Sequence, residues 1–203
     1  MHGMLHRSAP RDAAALRALV WAAEFRDIPA TIAVRPDLRA AMHTLLAQHV
    51  LPVKVTEGGN RDAERKAILG ALFDGALTLD EAVAQTEARL AREGSPHRAN
   101  NRVFARGWAK RLVYTHTSVL YTWAVLDALL AAGEPQCFVA HSPAEAPTST
   151  CAQLLAGKQH DAAVLRDRLI RCYVAKQPVR APLVPSHPHC THVAAPIPAA
   201  RHA

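Results

Sequence analysis

The run Ser186-His187-Pro188-His189-Cys190-Thr191-His192 places three histidines and a cysteine within six residues. Imidazole nitrogen and thiolate sulfur are the donors of structural zinc, which takes four of them in a tetrahedron. Such donors come as a close group from one turn plus others from a distant segment. The close group here is His187, His189, Cys190 and His192, and Pro188 stiffens the turn that carries it. Cys151, 36 residues before His187, would supply the distant thiolate. Cys151, His187, Cys190 and His192 then form an ordinary Cys2His2 set for one structural zinc. The half-site at Cys151 is single, because Thr148 stands where a C-x2-C partner would be. His141 and His160 are alternative donors. Two readings compete with a metal: a proline-rich tail with solvated histidines, and a turn packed by its own side chains. A catalytic zinc would need an open coordination position and a nearby general base. The second half of the chain holds few acids: Asp127, Glu134, Glu145, Asp161 and Asp167.

The elements that must position these groups can be read from caps and periodicity. Residues 10–25 repeat apolar side chains at Leu16, Leu19, Val20 and Ala23, which predicts a helix. Arg35-Pro36-Asp37 opens a second, carrying Leu38, Met42, Leu45 and Leu46, with proline in the tolerated first turn. Asn60 precedes a third, with Ile68, Leu69, Leu72 and Phe73 on one side. Thr78 and Glu81 form a capping box for a fourth, expected to run to about Arg92. Leu51 to Val55 reads as a short strand or an extended linker. One long helix, straight or kinked, is expected from about Ala99 to Ala132. It buries Val119, Trp123, Leu126 and Leu130, and Gly133 ends it. Gln136–Ala140 and Leu169–Val174 are strand candidates. Residues 141–150 read as a loop. Six of the 14 prolines fall in the last 26 residues, so that end forms no regular helix.

The fold class is therefore α+β and mostly helical. A helical region, 1–95, leads through a long basic helix into a small α+β module, 96–203, which a Pro/His/Cys-rich tail closes. The chain has 203 residues, half of them apolar, enough to bury a core without staples. Only 20% are charged, which excludes a disordered composition. Residues 1–10 hold no apolar core of signal-peptide length. No segment approaches the ~20 apolar residues of a membrane span. The four cysteines thus read as thiols or ligands of a reducing cytoplasm.

The order of motifs along the second half resembles the phage Mu F-like head-morphogenesis (minor head protein) family. A helix ends in Leu-Leu-Ala-Ala-Gly (129–133), a short strand follows, and Cys151 precedes the Gly157-Lys158 turn. Pro-Leu-Val-Pro-Ser-His-Pro-His-Cys-Thr-His (182–192) closes the pattern. The resemblance covers roughly residues 98–195. The family carries a cysteine pair, a Leu-x-Gly-Lys turn and a closing His-Pro-x-Cys-x-Cys. Here Thr148 stands for the first cysteine and His192 for the last. An Arg-Thr-Glu-Thr-like stretch is replaced by Tyr114-Thr115-His116-Thr117, and the spacer between Gly157 and His187 is long.

The resemblance implies a non-catalytic minor component of a tailed phage, prophage or phage-like particle. It would be assembled in the host cytoplasm and housed in the capsid interior or at the portal vertex. Its implied work is head assembly and DNA packaging or delivery. Its implied partners are the portal protein, the major capsid protein and packaged double-stranded DNA, with no membrane.

Charge fits a polyanionic partner independently of the resemblance. Residues 1–100 carry 13 basic and 12 acidic side chains, whereas residues 101–203 carry 11 and 5. Arg98, Arg102, Arg106 and Lys110 recur every four residues, one face of a helix, with Arg111 beside them. No acid falls between Glu93 and Asp127. Phosphates or an acidic protein surface would supply the missing counter-charge, without sequence readout. A solvated helix face is the plain alternative. The competing function is a zinc-dependent nucleic-acid-binding protein or nuclease; no paired carboxylates beside the histidines support it.

Overall fold

Arg35 and Pro36 show how the local sequence builds the first helices. The Arg35 guanidinium donates from Nε and Nη2 to the Asp37 carboxylate at 2.8 and 2.6 Å, and from Nη1 to Val20 O at 3.0 Å. This buried clasp fixes the bend between α1 (Ile28–Val34) and α2 (Pro36–Gln48). Helix α2 buries Leu38, Met42, Leu45 and Leu46, the expected face. The computed structural model describes Ala15 and residues 18–198. Residues 10–14, 16 and 17 of the first expected helix lie outside that range. Residues 18–24, which do lie within it, are turn and bend, followed by a 3-10 turn at Phe25–Asp27.

Helix α3 (Arg61–Phe73) starts after Asn60 and buries Ile68, Leu69, Leu72 and Phe73. Asn60 does not cap it with its side chain; the amide donates to Glu64 Oε1 at 3.0 Å instead. Helix α4 (Leu79–Arg89) has the capping box at Thr78 and Glu81, with both reciprocal bonds made. It stops earlier than expected, and a 3-10 turn at Arg92–Gly94 follows. The Leu51–Val55 segment is no strand. It enters a 3-10 turn at Lys54–Thr56, where Arg61 binds three carbonyls: Val55 O, Ala91 O and Leu90 O at 2.7, 2.9 and 2.5 Å.

The organising element is α5 (Trp108–Ala131), which packs against α2, α4, the sheet and α7. Its middle is buried on every side, from His116 to Leu126, as a central helix must be. Gly133 follows it at φ 76°, a left-handed position that favours glycine. Strands β1 (Gln136–Val139), β2 (Lys158–Asp161) and β3 (Ala194–Ala195) form one antiparallel sheet in the order β2-β1-β3. Between β1 and β2 lies α6 (Thr150–Leu155), and α7 (Ala162–Tyr173) follows β2 directly.

Residues 169–174, a strand candidate by composition, belong instead to α7 and its C-terminal cap. Asp161 caps that helix by accepting from Val164 N at 2.8 Å, and Ala162, Leu165 and Leu169 bury one helical face. The mostly helical α+β class stands. One hydrophobic core runs from Ala22 to Ala194 and crosses residues 95–96 without a break. Among the described residues, no helix is long and apolar enough to cross a membrane.

Candidate metal centre

Three segments converge at one end of the sheet. Helix α6 presents Cys151 from its first turn, with Ser149 as the cap accepting from Ala152 N at 3.2 Å. The loop after β1 brings Glu145. The segment leading into β3 brings Cys190 and His192. A small second core of Val139, Cys151, Leu155, Val184 and Cys190 packs the two thiols together beneath the sheet.

The closing segment is held in place along its length. Arg168 Nη1 donates to Pro182 O at 3.0 Å, and Tyr173 Oη donates to Pro185 O at 2.9 Å. Cys190 N closes a turn onto His187 O at 3.0 Å. Beyond the cluster, Ala194 and Ala195 pair with Val139 and Phe138 of β1. Glu145 is steered by Thr191, whose N and Oγ1 both donate to Oε2 at 3.3 Å.

The donor atoms of Glu145, Cys151, Cys190 and His192 all lie within 4.8 Å of one another. Two thiolates about 2.3 Å from a single zinc ion stand at most about 4.6 Å apart, so the spread has the scale of a metal site. Cys151, Cys190 and His192 are 2%, 4% and 1% exposed. His192 Nε2 is buried without a hydrogen-bond partner, while Nδ1 lies 3.7 Å from Cys190 Sγ. An unsatisfied buried polar atom costs about 1–3 kcal/mol. A cation held by this group would remove that cost and the cost of two crowded thiols together, so the residues present fit a metal.

Burial pushes the Cys190 thiol up to about 11, with the neighbouring Cys151 adding to the effect. Burial also lowers His192, helped by His141 and His187 and opposed by Glu145. Both shifts favour neutral groups, a protonated thiol and an unprotonated imidazole, and a divalent ion would displace the thiol proton.

All four ligands expected from the sequence are brought together, in two tiers. Cys151, Cys190 and His192 belong to the tight group. His187 stands beside it: Nε2 is 3.2 Å from Cys151 Sγ and 3.7 Å from Glu145 Oε1, and the side chain is partly exposed. Glu145 takes the fourth place. No spacing signal marks it in the sequence, because it sits in an irregular loop between Ala144 and Ala146. His160 is committed elsewhere, with Nε2 2.9 Å from Leu155 O. His141 packs over Gly157, where φ is 72° and a Cβ would collide with the imidazole. Glycine is therefore required in the Gly157-Lys158 turn on two counts.

The basic stripe is rearranged. The helix starts only at Trp108, so Arg98, Arg102 and Arg106 lie in turns and share no helix face with Lys110. The cause is local. Gly107 adopts φ 72° and breaks the helical run. Arg111 then turns back to donate to Arg106 O at 2.6 Å and Ala105 O at 3.1 Å. Arg92 Nε donates to Arg98 O at 2.5 Å. Arg98, Arg102, Arg106 and Lys110 nevertheless remain exposed.

Fold and site together define a mostly helical α+β chain carrying a Glu/Cys/Cys/His group that could hold a metal ion. Comparison with known protein families, curated proteins and solved structures finds no match.

Proposed function

We propose that this chain is a non-catalytic minor head protein of a tailed phage, prophage or phage-like particle, with one structural zinc closing its C-terminal module. The observation that carries the zinc reading is the convergence of Glu145, Cys151, Cys190 and His192 within 4.8 Å. Zinc suits two thiolates, an imidazole and a carboxylate, and four protein donors fill a tetrahedron. A site filled by protein leaves no position for substrate, which favours a structural role over a hydrolytic one. When bound, the ion supplies a cross-link: it ties the closing segment to α6 and to the loop after β1.

The phage reading rests on the order of motifs, from the helix ending at Gly133 through the Gly157-Lys158 turn to His-Pro-His-Cys. In this reading the protein acts at or near the portal vertex, in head assembly and DNA packaging or delivery. It contacts the portal protein or the major capsid protein. Exposed Arg98, Arg102, Arg106 and Lys110 meet packaged double-stranded DNA or an acidic partner without sequence preference. Its place is the virion.

Metal analysis of the purified chain tests the first half: about one zinc per chain, lost together with thermal stability in Cys190→Ala. Mass spectrometry of DNA-filled particles tests the second, and absence of the chain from them would sink it. The second reading, a zinc-dependent nucleic-acid-binding protein or nuclease, draws on the basic surface and on Glu145 beside the thiols. Zinc-dependent nicking of plasmid DNA would favour that reading instead.

A further inference from the structure

A cavity of about 280 Å³ lies between the Leu51–Val55 segment, the start of α5, the end of α7 and Pro188 of the closing segment. Its walls are mainly apolar, with Leu51, Val55, Trp108, Leu112 and Tyr173 among them. Its charged lining is of one sign. Arg102, Arg111 and Lys176 face it, and no Asp or Glu lines it. Lys176 is held there at φ 55°, a left-handed conformation a lysine seldom adopts. Its left-handed turn ends α7, where Gln177 N donates back to Arg171 O at 2.9 Å.

His116 also lines the cavity and is 2% exposed. Arg65 Nη1 stands 3.4 Å from its Nδ1. A guanidinium only donates, so Nδ1 accepts and the proton of the neutral ring sits on Nε2. Burial, with Arg65 and Lys176 close by, lowers this imidazole well below its ordinary range and keeps it neutral. The cavity thus combines three cations without a lining counter-charge and an apolar body.

We propose that this cavity binds a small organic anion, a carboxylate on an apolar body. The acid group sits among Lys176, Arg102 and Arg111, with His116 beside them in the lining. The apolar part lies against Leu112 and Trp108. Charge-assisted hydrogen bonds fix the acid, and the few polar groups set orientation in an otherwise apolar pocket. None of the four metal donors lines this cavity, although Pro188 of the closing segment does, and Arg102 is shared with the basic surface proposed to meet DNA.

Isothermal titration of the full chain with decanoate tests it, with decanol and decyltrimethylammonium as neutral and cationic probes of the same body. Decanoate is expected to saturate one site per chain, and the other two to bind about tenfold more weakly or not at all. Arg102→Glu with Lys176→Glu should weaken decanoate about tenfold at unchanged melting temperature. Arg180→Glu, an exposed charge outside the cavity, should leave it unchanged. Nuclear magnetic resonance of the unmodified chain gives a reading that does not depend on any variant folding: saturating decanoate should shift the Trp108 indole. Absent decanoate binding, equal binding of decanol, an unaffected folded double variant or an unmoved Trp108 signal would each overturn the proposal.

Discussion

Phe25 N donates to Thr191 O at 2.8 Å, which joins the 3-10 turn at Phe25–Asp27 to the residue between Cys190 and His192. The loop after β1 reaches the same end of the fold where Ser142 Oγ, three residues before Glu145, donates to Glu24 Oε2 at 2.6 Å. The donor cluster is therefore anchored to the start of the fold as well as to the sheet. A metal bound there would stabilise a contact that spans most of the chain. Removing it should release both ends of that contact. Hydrogen exchange at the Phe25 amide is expected to speed up on chelation of the zinc-loaded protein, while amides in the middle of α5 stay protected. Equal exchange with and without chelator would separate the cluster from the anchor.

Glu145 and His187 compete for the fourth place beside Cys151, Cys190 and His192. The geometry puts Glu145 in the tight group and His187 beside Cys151. Glu145→Ala should cost more zinc affinity than His187→Ala, whose loss is that of an outer-shell partner, roughly 10–100-fold. Competition against a chromogenic chelator measures both, and the reverse order would make His187 the ligand.

His116 gives the fold a pH dependence with a defined sign. Its pKa in the folded chain lies well below the ordinary 6.5, because burial and Arg65 oppose the charged form. The unfolded chain therefore binds a proton that the native chain does not, below about pH 6.5. Stability attributable to this group is full above that pH and falls as the pH drops toward the depressed value. His116→Asn, which keeps an acceptor for Arg65, should flatten the urea-midpoint profile between pH 6.5 and 5 relative to the parent. His192, also lowered, stays in both chains and cancels in the comparison. Parallel profiles would remove His116 from the account.

Tyr121 is fully buried on α5, and its Oη accepts from Ala22 N at 2.9 Å. Burial raises its pKa to about 12, so it stays a phenol. Tyr121→Phe leaves the Ala22 N–H buried without an acceptor. The expected loss is about 1–3 kcal/mol of unfolding free energy, read by urea titration. A loss below about 0.5 kcal/mol would mean that water or a shifted chain takes over the bond.

Arg98 and Arg106 lie in the turns ahead of α5, clear of the organic-anion cavity. Arg98→Glu with Arg106→Glu should weaken binding to random-sequence duplex DNA at low salt and lower the slope of log affinity against log salt by about two. Fluorescence anisotropy across a salt series reads both quantities. An unchanged slope would take these residues out of any DNA interface.

Local chemistry was legible wherever one short segment carries its own instructions. The Thr78–Glu81 box, the proline at 36 and the glycine at 133 stop or start helices through bonds within a few residues, and all three sit where the sequence put them. Leu169-Ile170-Arg171-Cys172-Tyr173-Val174 shows the limit. Its branched, aromatic texture suits a strand, but Asp161 caps a helix eight residues earlier and α5 offers a surface for Leu165 and Leu169. Tertiary packing outweighs a propensity difference of that size. The arginine stripe failed for the opposite reason. A four-residue repeat implies one face only if the backbone is helical, and Gly107 interrupts it.

The residues themselves determined which groups could bind a metal: thiols at 151 and 190 and imidazoles at 187 and 192 are donors in any fold. They also determined that the last segment, rich in proline, would form no regular helix. Only the tertiary structure decided that Glu145 joins the group and His187 stands beside it. That choice depends on the β1 pairing with Ala194 and Ala195, on Thr191 gripping the Glu145 carboxylate, and on Ser142 reaching Glu24. Each of these contacts links residues more than 40 apart in the chain. Chain closure over such distances is set by the shape of the whole core, and no local pattern encodes it.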